Sequence, residues 1–575
     1  MSSHSKPALT FTSSKQSTSQ LHRSLQNKQH SAAFRVSAQS SLSAASEPAG
    51  YAQRKSDTRA RGDVRTLAVA EAVGRDLGSH EEEEEIEANT GDERELPAFD
   101  WKAHWYAVGV VQDMDPSIPH PLTILGQPVV LWYDRNEAKW RCFLDQCPHR
   151  LAPLSEGRID EEGRLQCSYH GWSFEGRGAC ACIPQAASEG PEAKAAANPR
   201  AAVRTFPISE AGGLLFVWPD SDPKAAYKAA YSRLPLTPGV ADDWMTSHYA
   251  RDMEYGYEIL VENLVDPAHV PFSHNGVGGI NRKSAAPLEF RITRMDHTGF
   301  FGRGVSGSFA PNTVGGNEFL APNRFSYTRT TPRDDGSESN FIITVHVTPR
   351  GPGKSRVILS TYAKTLNEKK VKTGLLARVK GFNFRRLLFR FRPRWLTHLV
   401  LDAIFDGDAV FLRGQEIALQ TTPANASATS AVDERGVRKV DAPREYFMPT
   451  PADRFVLAFR QWLNRYAGGG VPWAELGVPE LDVKLTSREA VMDRWHQHTT
   501  QCTTCSGALE KARTAQKALW VAAALLVAAT LVAGQAWGPL ARGGLVSLAL
   551  LSTAAGFALN GLVQRFIYTG YNHAK

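Results

Sequence analysis

The sequence predicts an α+β protein with two folded domains, followed by a helical hairpin that crosses a membrane. Short runs of β-branched and aromatic residues, separated by Gly, Pro and Asp, fill residues 99–220 and indicate a small all-β domain. Over residues 221–500, strand-like and helical segments alternate, which favours an α+β domain with a mostly antiparallel sheet. Two long uncharged segments close the chain. A length of 575 residues is sufficient for more than one hydrophobic core.

The N-terminal segment has the composition of a targeting sequence. Residues 1–46 contain five basic residues, no acidic residue and many serines, and they lack an apolar stretch of the secretory type. This composition favours an organellar transit peptide over residues 1–50, with a disordered tail as the alternative. Residues 51–98 include five consecutive glutamates and are predicted to be a disordered linker.

The charge of the chain does not indicate a nucleic-acid partner. The formal net charge is +7, and five of the positive charges belong to residues 1–46. The remainder therefore carries about +2, too little for the basic surface that nucleic-acid binding requires.

Two cysteines and two histidines lie at metal-ligand spacing in the predicted β domain. Cys147 and His149 form a C-x-H pair, and after seventeen intervening residues Cys167 and His170 form a C-x-x-H pair. A zinc finger usually brings its cysteines together first and its histidines second, whereas each pair here has one of each. The pattern therefore favours a Rieske [2Fe-2S] cluster over structural zinc. Such a cluster passes single electrons and has no open coordination position for a substrate, so a second centre has to do the chemistry.

The stretch "NLVDPAHVPFSHN" offers two histidines for that second centre. His269 and His274 are five residues apart, which in an ideal helix would separate their side chains by roughly 140°. Pro271 between them favours a departure from helical geometry. Non-haem Fe(II) oxygenases use two histidines and one carboxylate on one face of the metal. The carboxylate is expected in "FDGDAVFLRGQE", from Asp406 or Asp408, although a carboxylate at the start of a helix is more often a cap.

Asp266 has two compatible interpretations. Because Pro267 follows it, it is a good N-cap for a helix with proline in the first position. The second interpretation is a carboxylate bridge that accepts a hydrogen bond from a histidine of the cluster and from a histidine of the iron, and so couples electron transfer to the position of a proton.

A second cysteine pair precedes the uncharged segments. Cys502 and Cys505 form "CTTC" within a predicted linker over residues 501–517. Such a pair can be a reversible dithiol or half of a zinc site. Since the sequence offers no matching second half, zinc is unfavoured, and a redox switch is preferred to two unpaired thiols.

The membrane hairpin is predicted from length and flanking charge. Residues 518–537 and 543–564 are each long enough to cross the hydrocarbon core, which needs about 20 residues. Basic residues flank the outside of the pair, and Arg542 alone lies in its turn. The catalytic body and the C-terminus are therefore expected on the same side of the membrane.

An ordered set of motifs resembles a known family. From about Asp100 to the C-terminus, the segments "WKAHWYAV", "CPHRLAPLSEGRI", "CSYHGWSF", "ENLVDPAHVPFSH", "DGDAVFLRGQE" and "CTTC" occur in this order before the hairpin. The set resembles the pheophorbide a oxygenase family of plastid Rieske monooxygenases.

The resemblance implies a Rieske domain, a helix-grip catalytic domain and a membrane hairpin. It implies one [2Fe-2S] cluster on Cys147, His149, Cys167 and His170, and one mononuclear Fe(II) on His269, His274 and Asp408. Reduced ferredoxin would supply electrons, and the body would lie on the stromal side of a chloroplast membrane, either inner envelope or thylakoid. Related oxygenases form homotrimers.

The resemblance also implies a reaction. Oxygen from O₂ would be inserted into a chlorophyll-derived tetrapyrrole, with ring opening of pheophorbide a as the preferred assignment. The alternatives are hydroxylation of protochlorophyllide, chlorophyllide or a phyllobilin, and a redox-sensing role in plastid protein import. An intact iron triad favours an oxygenase, because a sensor needs no open iron site.

Overall fold

The computed structural model of the chain describes residues 98–241, 244–304, 314–332, 338–364, 393–421, 446–479, 487–533 and 536–573. The predicted transit peptide (1–50) and all but the last residue of the predicted linker (51–98) lie outside these residues. Within them, the α+β fold class is confirmed: an all-β domain is followed by a domain of sheet and helices and by two apolar C-terminal helices.

The N-terminal domain is built from short antiparallel strands. They are β1 (Tyr106–Val110), β2 (His120–Ile124), β3 (Gln127–Asp134), β4 (Lys139–Leu144), β5 (Arg158–Ile159), β6 (Leu165–Gln166), β7 (Ser173–Phe174), β8 (Cys180–Cys182), β9 (Thr205–Phe206), β10 (Ile208–Ala211) and β11 (Leu214–Val217). Their sheets have the orders β2-β3-β4-β9, β5-β6-β7-β8 and β1-β11-β10. Trp132, Phe143 and Phe174 are buried in one core with Cys147 and Cys167, so the two cysteine loops stand on packed strands.

Helix α1 (Pro223–Tyr231) continues the packing of the first domain beyond residue 220. Asp222 caps the helix by accepting a hydrogen bond from the Lys224 amide. Ala225 and Ala229 face Trp105 and Trp218 in a separate apolar cluster. The helix therefore shares this apolar cluster with residues of β1 and β11.

The second domain is organised around one large antiparallel sheet. Its strands are β12 (Trp244–Met253), β13 (Phe290–Asp296), β14 (Gly299–Gly304), β15 (Val314–Leu320), β16 (Arg324–Pro332), β17 (Glu338–Gly351) and β18 (Lys354–Lys364). This 7-stranded sheet has the order β12-β18-β17-β16-β15-β14-β13. The chain between its two edge strands forms α2 (Tyr257–Val265) and the single turn α3 (Val270–Ser273).

Further helices close the second domain. They are α4 (Arg394–Thr421), α5 (Arg454–Tyr466), α6 (Arg488–Val491) and α7 (Arg494–Gln497). α5 buries one face of apolar residues, and its Phe459 and Trp462 pack on Phe319 of the sheet. Long helix α4 is held against β12, where the Tyr249 hydroxyl donates to Asp402 at 2.5 Å. α4 thus spans the region where both candidate metal-binding groups of this domain lie.

The two C-terminal helices are α8 (Thr503–Ala533) and α9 (Pro539–Arg565). Both are long and apolar enough to cross a membrane. They pack along each other, with Gly556 of α9 against the Trp520 ring. The predicted linker over residues 501–517 is wrong, because α8 begins at Thr503 and runs without interruption into the first apolar segment. Of the predicted span 518–537, residues 518–533 form the later part of α8, while 543–564 lies within α9.

Both ends of this hairpin return to the second domain. The Thr499 hydroxyl donates to the Phe566 carbonyl at 2.6 Å, and Asp493 pairs with Tyr568 in an isolated β-bridge. The residues after α9, called here the C-terminal tail (566–573), therefore lie against the second domain, which is the main part of the catalytic body.

Candidate functional site

The two cysteine loops of the first domain share one backbone geometry. The Cys147 amide donates to the Ala152 carbonyl at 2.8 Å, and the Leu151 amide returns a bond to the Cys147 carbonyl at 2.9 Å. Cys167 has the same pair of bonds, to Trp172 and from Gly171, both at 2.9 Å. Leu151 and Gly171 occupy the equivalent position with φ of 60° and 74°, a region that glycine adopts readily and leucine rarely. The two turns direct the C-x-H segment and the C-x-x-H segment toward each other.

The four side chains of these loops suit a Rieske cluster. The two thiols are buried, while His149 is exposed and its ring centroid lies 4.5 Å from that of His170. Burial raises the pKa of Cys147 to about 12, with Cys167 adding to the effect. A cationic partner such as iron is therefore needed to hold the thiolate form here. The arrangement places sulfur inside and imidazole outside, so one end of a bound cluster would reach the surface.

The single turn α3 separates His269 from His274. His269 precedes the helix with φ −69° and ψ −28°, and His274 ends it with φ −108° and ψ 22°. The backbone thus leaves helical geometry at His274. As a result, the two ring centroids are only 5.3 Å apart, at an interplanar angle of 78°.

Asp408 completes a group of three possible ligands with these histidines. Its carboxylate oxygens lie 3.9 Å from His269 Nε2 and 3.4 Å from His274 Nε2, and one ligand atom from each residue lies within 4.8 Å of the others. Burial lowers the pKa of His274, which favours the neutral imidazole that a metal requires. Two histidines and one carboxylate that converge in this way would suit a mononuclear non-haem iron.

The structure separates the roles of Asp406 and Asp408, which the residues alone left open. Asp406 is fully buried between two arginines, 2.7 Å from Arg251 and 2.7 Å from Arg494. Asp408 faces the histidines instead. The interpretation of either residue as a helix cap is wrong, because both lie in the middle of α4. One helix therefore uses neighbouring carboxylates for two purposes, an internal ion-pair network and a candidate ligand.

Asp266 ends α2 rather than beginning the next helix, so the N-cap interpretation is wrong. One of its oxygens accepts a hydrogen bond from the Ala268 amide at 2.7 Å, which fixes the turn into α3. The other lies 3.5 Å from His269 Nδ1. Burial would lower the pKa of His269, but Asp266 and Asp408 outweigh it and raise the pKa above the usual value. Asp266 thus faces the ring nitrogen that points away from Asp408.

Several contacts around the triad have no signal in the sequence. The Ser273 hydroxyl donates to Asp408 at 2.6 Å, and the Asn263 amide nitrogen lies 3.3 Å from His269 Nε2. From the C-terminal tail, the Tyr571 hydroxyl donates to the Ser273 carbonyl at 2.7 Å. His573 Nε2 donates to the Gly407 carbonyl at the same distance. The tail therefore holds the backbone of the residue before each of two candidate ligands, His274 and Asp408.

Gly407 permits the close approach of α4 to α3, and this predicts the effect of a substitution. A Cβ added at Gly407 would lie 2.9 Å from the Ser273 carbonyl oxygen and 3.0 Å from His274 Nδ1. We expect Gly407→Ala to displace the triad and to lower iron affinity or turnover about tenfold, as other changes around a metal site do. The measurement is iron content and turnover of the purified protein.

Gly414→Ala provides the matched control for this prediction. Gly414 lies on the same helix, and among the described residues an added Cβ would have no heavy atom within 4 Å apart from its chain neighbours and the adjacent backbone of its own helix. This variant should retain iron and activity. Equal behaviour of the two alanine variants would contradict the role assigned to the close approach.

The "CTTC" pair has partners that the sequence did not reveal. Cys502 and Cys505 are buried beside His398 of α4 and His498, and ligand atoms of these four residues lie within 4.8 Å of one another. The statement that no second half exists for a metal site is therefore wrong. The missing half consists of His498, which lies four residues before Cys502, and His398, which lies 104 residues before it.

Comparison with known proteins identifies two parts of the chain. Residues 104–207 match the family model of the Rieske [2Fe-2S] domain. Residues 319–425 match the family model of pheophorbide a oxygenase. The first match covers the cysteine loops, and the second includes α4 with Asp408.

Full-length relatives extend this similarity. The chain is 36% identical over 90% of its length to a chloroplastic pheophorbide a oxygenase of Oryza sativa subsp. japonica, 92% of which is covered. It is 37% identical over 86% of its length to the chloroplastic pheophorbide a oxygenase of Arabidopsis thaliana, with 88% covered. It is also 34% identical over 84% of its length to the chloroplastic flavonoid 8-hydroxylase 2 of Ocimum basilicum, with 87% covered.

Proposed function

Because the chain belongs to the pheophorbide a oxygenase family, we propose that it opens the ring of pheophorbide a by inserting oxygen from O₂. It is a Rieske-type non-haem iron monooxygenase with a [2Fe-2S] domain. The observation that carries the proposal is the convergence of His269, His274 and Asp408 in a chain with this family's full length. A chlorophyll-derived tetrapyrrole is the substrate class implied by the names of the rice and Arabidopsis relatives.

The residues divide the work between two metal sites. Cys147, Cys167, His149 and His170 would hold the cluster, and the triad would hold the mononuclear iron. When bound, the cluster would supply single electrons and the iron would supply O₂ activation. Ser273 keeps the Asp408 carboxylate oriented by its hydrogen bond. The C-terminal tail fixes the backbone beneath the ligands, so that substrate and O₂ meet a preformed site.

Asp266 is the proposed bridge for electrons arriving at the iron. Its carboxylate is about one-quarter exposed and faces His269 Nδ1, so it can accept a hydrogen bond from that ring and from a second imidazole at the surface. His149 is exposed at the outer end of the cluster loops. Two surface-reaching groups of this kind support transfer between subunits, and a homotrimer is therefore part of the proposal.

A mixture of two inactive chains tests transfer between subunits. A Cys147→Ser chain lacks a complete cluster site, and a His269→Ala chain lacks a complete iron site. We expect mixed oligomers, formed by co-expression, to regain activity, because the intact cluster of one chain would serve the intact iron of the other. Activity that stays at the level of the separate variants would contradict transfer between subunits.

The electron donor and the location follow from the plastid relatives. Reduced ferredoxin is the proposed donor. α8 and α9 would anchor the protein in a chloroplast membrane, either inner envelope or thylakoid, with the catalytic body in the stroma. Both ends of the hairpin contact the same domain, which supports placing the body and the C-terminal tail on one side.

A second candidate function is supported by the basil relative. Its name describes hydroxylation of a flavonoid, and its identity to this chain is only slightly below that of the two pheophorbide a oxygenases. The candidate site could thus hydroxylate another ring system, such as a flavonoid, protochlorophyllide or a phyllobilin. A purely redox-sensing role in protein import is less favoured, because it leaves the triad without a use.

The deciding experiment is a substrate competition with the purified full chain. The protein is loaded with ferrous iron and incubated aerobically with reduced ferredoxin and an equimolar mixture of pheophorbide a, protochlorophyllide and a flavonoid. We expect loss of the red absorption of pheophorbide a and a product heavier by oxygen that retains label from ¹⁸O₂. Consumption of another substrate with pheophorbide a intact would refute the ring-opening assignment.

A further inference from the structure

A second possible metal site lies where the membrane hairpin joins the catalytic body. Its side chains are Cys502, Cys505, His398 and His498, with exposed fractions of 3%, 0%, 0% and 2%. His398 comes from α4, His498 follows α7, and the cysteines flank the start of α8. None of the four belongs to the cluster or to the iron triad, and the proposed reaction does not use them.

The histidine rings are oriented as metal-bound histidines usually are. His398 Nε2 donates to the His248 carbonyl at 3.1 Å, and His498 Nδ1 donates to the Ala250 carbonyl at 2.7 Å. A carbonyl can only accept, so in the neutral rings these bonds place the lone pairs on His398 Nδ1 and His498 Nε2. A histidine that binds a metal through one ring nitrogen typically donates the N–H of its other ring nitrogen to an acceptor such as a backbone carbonyl. Both acceptor carbonyls belong to β12, which fixes the two rings relative to each other.

Those two lone pairs face the sulfur atoms. His398 Nδ1 lies 3.6 Å from Cys502 Sγ and 3.4 Å from Cys505 Sγ. His498 Nε2 lies 3.3 Å from Cys505 Sγ. A tetrahedral zinc with ordinary bond lengths has nitrogen–sulfur edges of about 3.6 Å. A thiol hydrogen bond alone would not require both nitrogens to approach the same sulfur, because Cys505 carries only one proton.

The size and enclosure of the site select one kind of metal. All four ligand atoms fall within 4.8 Å of one another, which fits one ion rather than a two-iron cluster. Two sulfurs and two nitrogens with every position filled by protein are typical of structural zinc. Cys502 and His498 also border a cavity of about 360 Å³ beside β1.

We propose that His398, His498, Cys502 and Cys505 bind a structural zinc ion that fastens the membrane hairpin to the catalytic body. Binding replaces the two thiol protons, which go to solvent, and the two thiolates neutralise the charge of Zn²⁺. The ion joins the base of α8 to α4, ten residues or about 15 Å along that helix from Asp408. Between the cysteines, the Thr504 hydroxyl donates to Asp113 of the first domain at 2.8 Å, so three parts of the protein meet here.

Zinc content and coordination in the full chain test the proposal directly. The protein is purified in detergent without chelators or immobilised-metal resin. We expect about one zinc per chain, with zinc-edge X-ray absorption showing two sulfurs near about 2.3 Å and two nitrogens near about 2.0 Å. This measurement requires no variant and is unaffected by iron. Absence of zinc with a Cys502–Cys505 disulfide, or with two freely alkylated thiols, would overturn the proposal in favour of a redox switch or unpaired thiols.

Variants locate the ion. Cys505→Ser and His498→Gln should each lose zinc, whereas their controls Cys182→Ser and His496→Gln should keep it. His496 lies two residues from His498 but is exposed and bonds to Asp493. Asp408→Ala should also keep zinc. Zinc that leaves with Asp408→Ala and stays in Cys505→Ser would instead be adventitious metal in the iron site, which refutes the proposal whatever the substrate of the enzyme is.

Discussion

Replacing His269 with alanine is expected to abolish oxygenation and to leave the Rieske cluster intact. His269 and His274 approach Asp408 from one side, and two ligands would hold the iron too weakly for catalysis. Groups that act as one unit lose almost the whole effect when one member is removed, so we expect turnover to fall at least about 1,000-fold. The measurements are single-turnover product formation, mononuclear iron content and the visible spectrum of the cluster.

The control for this variant is His297→Ala. His297 is an exposed histidine in the turn between β13 and β14, and its removal should leave both metals and turnover unchanged. If His269→Ala instead bleached the cluster spectrum and kept the mononuclear iron, the two sites would have been assigned in reverse.

Replacing Asp266 with asparagine is expected to slow electron delivery without removing either metal. The asparagine carbonyl can still accept the hydrogen bond from the Ala268 amide, so the turn into α3 should persist. The negative charge beside His269 Nδ1 is lost. Changes of this kind around a metal ligand cost about 10- to 100-fold in activity, and we expect that loss in the rate at which the reduced cluster is reoxidised in the presence of substrate and O₂.

Asp266→Ala separates the two roles of this residue. Alanine loses both the charge and the acceptor for the amide, so iron content should fall in Asp266→Ala and not in Asp266→Asn. Reoxidation of the cluster at the wild-type rate in the asparagine variant would limit Asp266 to a structural role at the end of α2.

The parts of the site that lie within one short segment could be predicted from the sequence. The C-x-H and C-x-x-H pairs indicated a Rieske domain, which the family match confirms, because each loop contains its own ligands at fixed spacing. "NLVDPAHVPFSHN" likewise contains two histidines whose approach is decided by one bend. In both cases the local chain determines most of the geometry.

What could not be predicted depends on contacts between distant segments. His398 and Cys502 are 104 residues apart, and neither "CTTC" nor the sequence around His398 indicates the other. Asp266 has the neighbours of an N-cap, yet α2 extends to Val265 and converts it into a C-terminal residue. The predicted linker failed for a similar reason, since α8 gains packing from the catalytic body well before its apolar part begins.

The order of the chain restricts how this enzyme could be made soluble. Tyr571 and His573 come after the hairpin, yet they bond to the carbonyls next to His274 and Asp408. Truncating the protein before α8 would delete these two hydrogen-bond donors together with the membrane hairpin. Extensions added after Lys575 would likewise begin close in sequence to His573, which donates to the Gly407 carbonyl beside the candidate ligand Asp408. The tail that contacts the candidate site thus follows the membrane hairpin in the chain. A water-soluble version therefore requires polar substitutions on the lipid-facing surface of the hairpin rather than deletion of the hairpin.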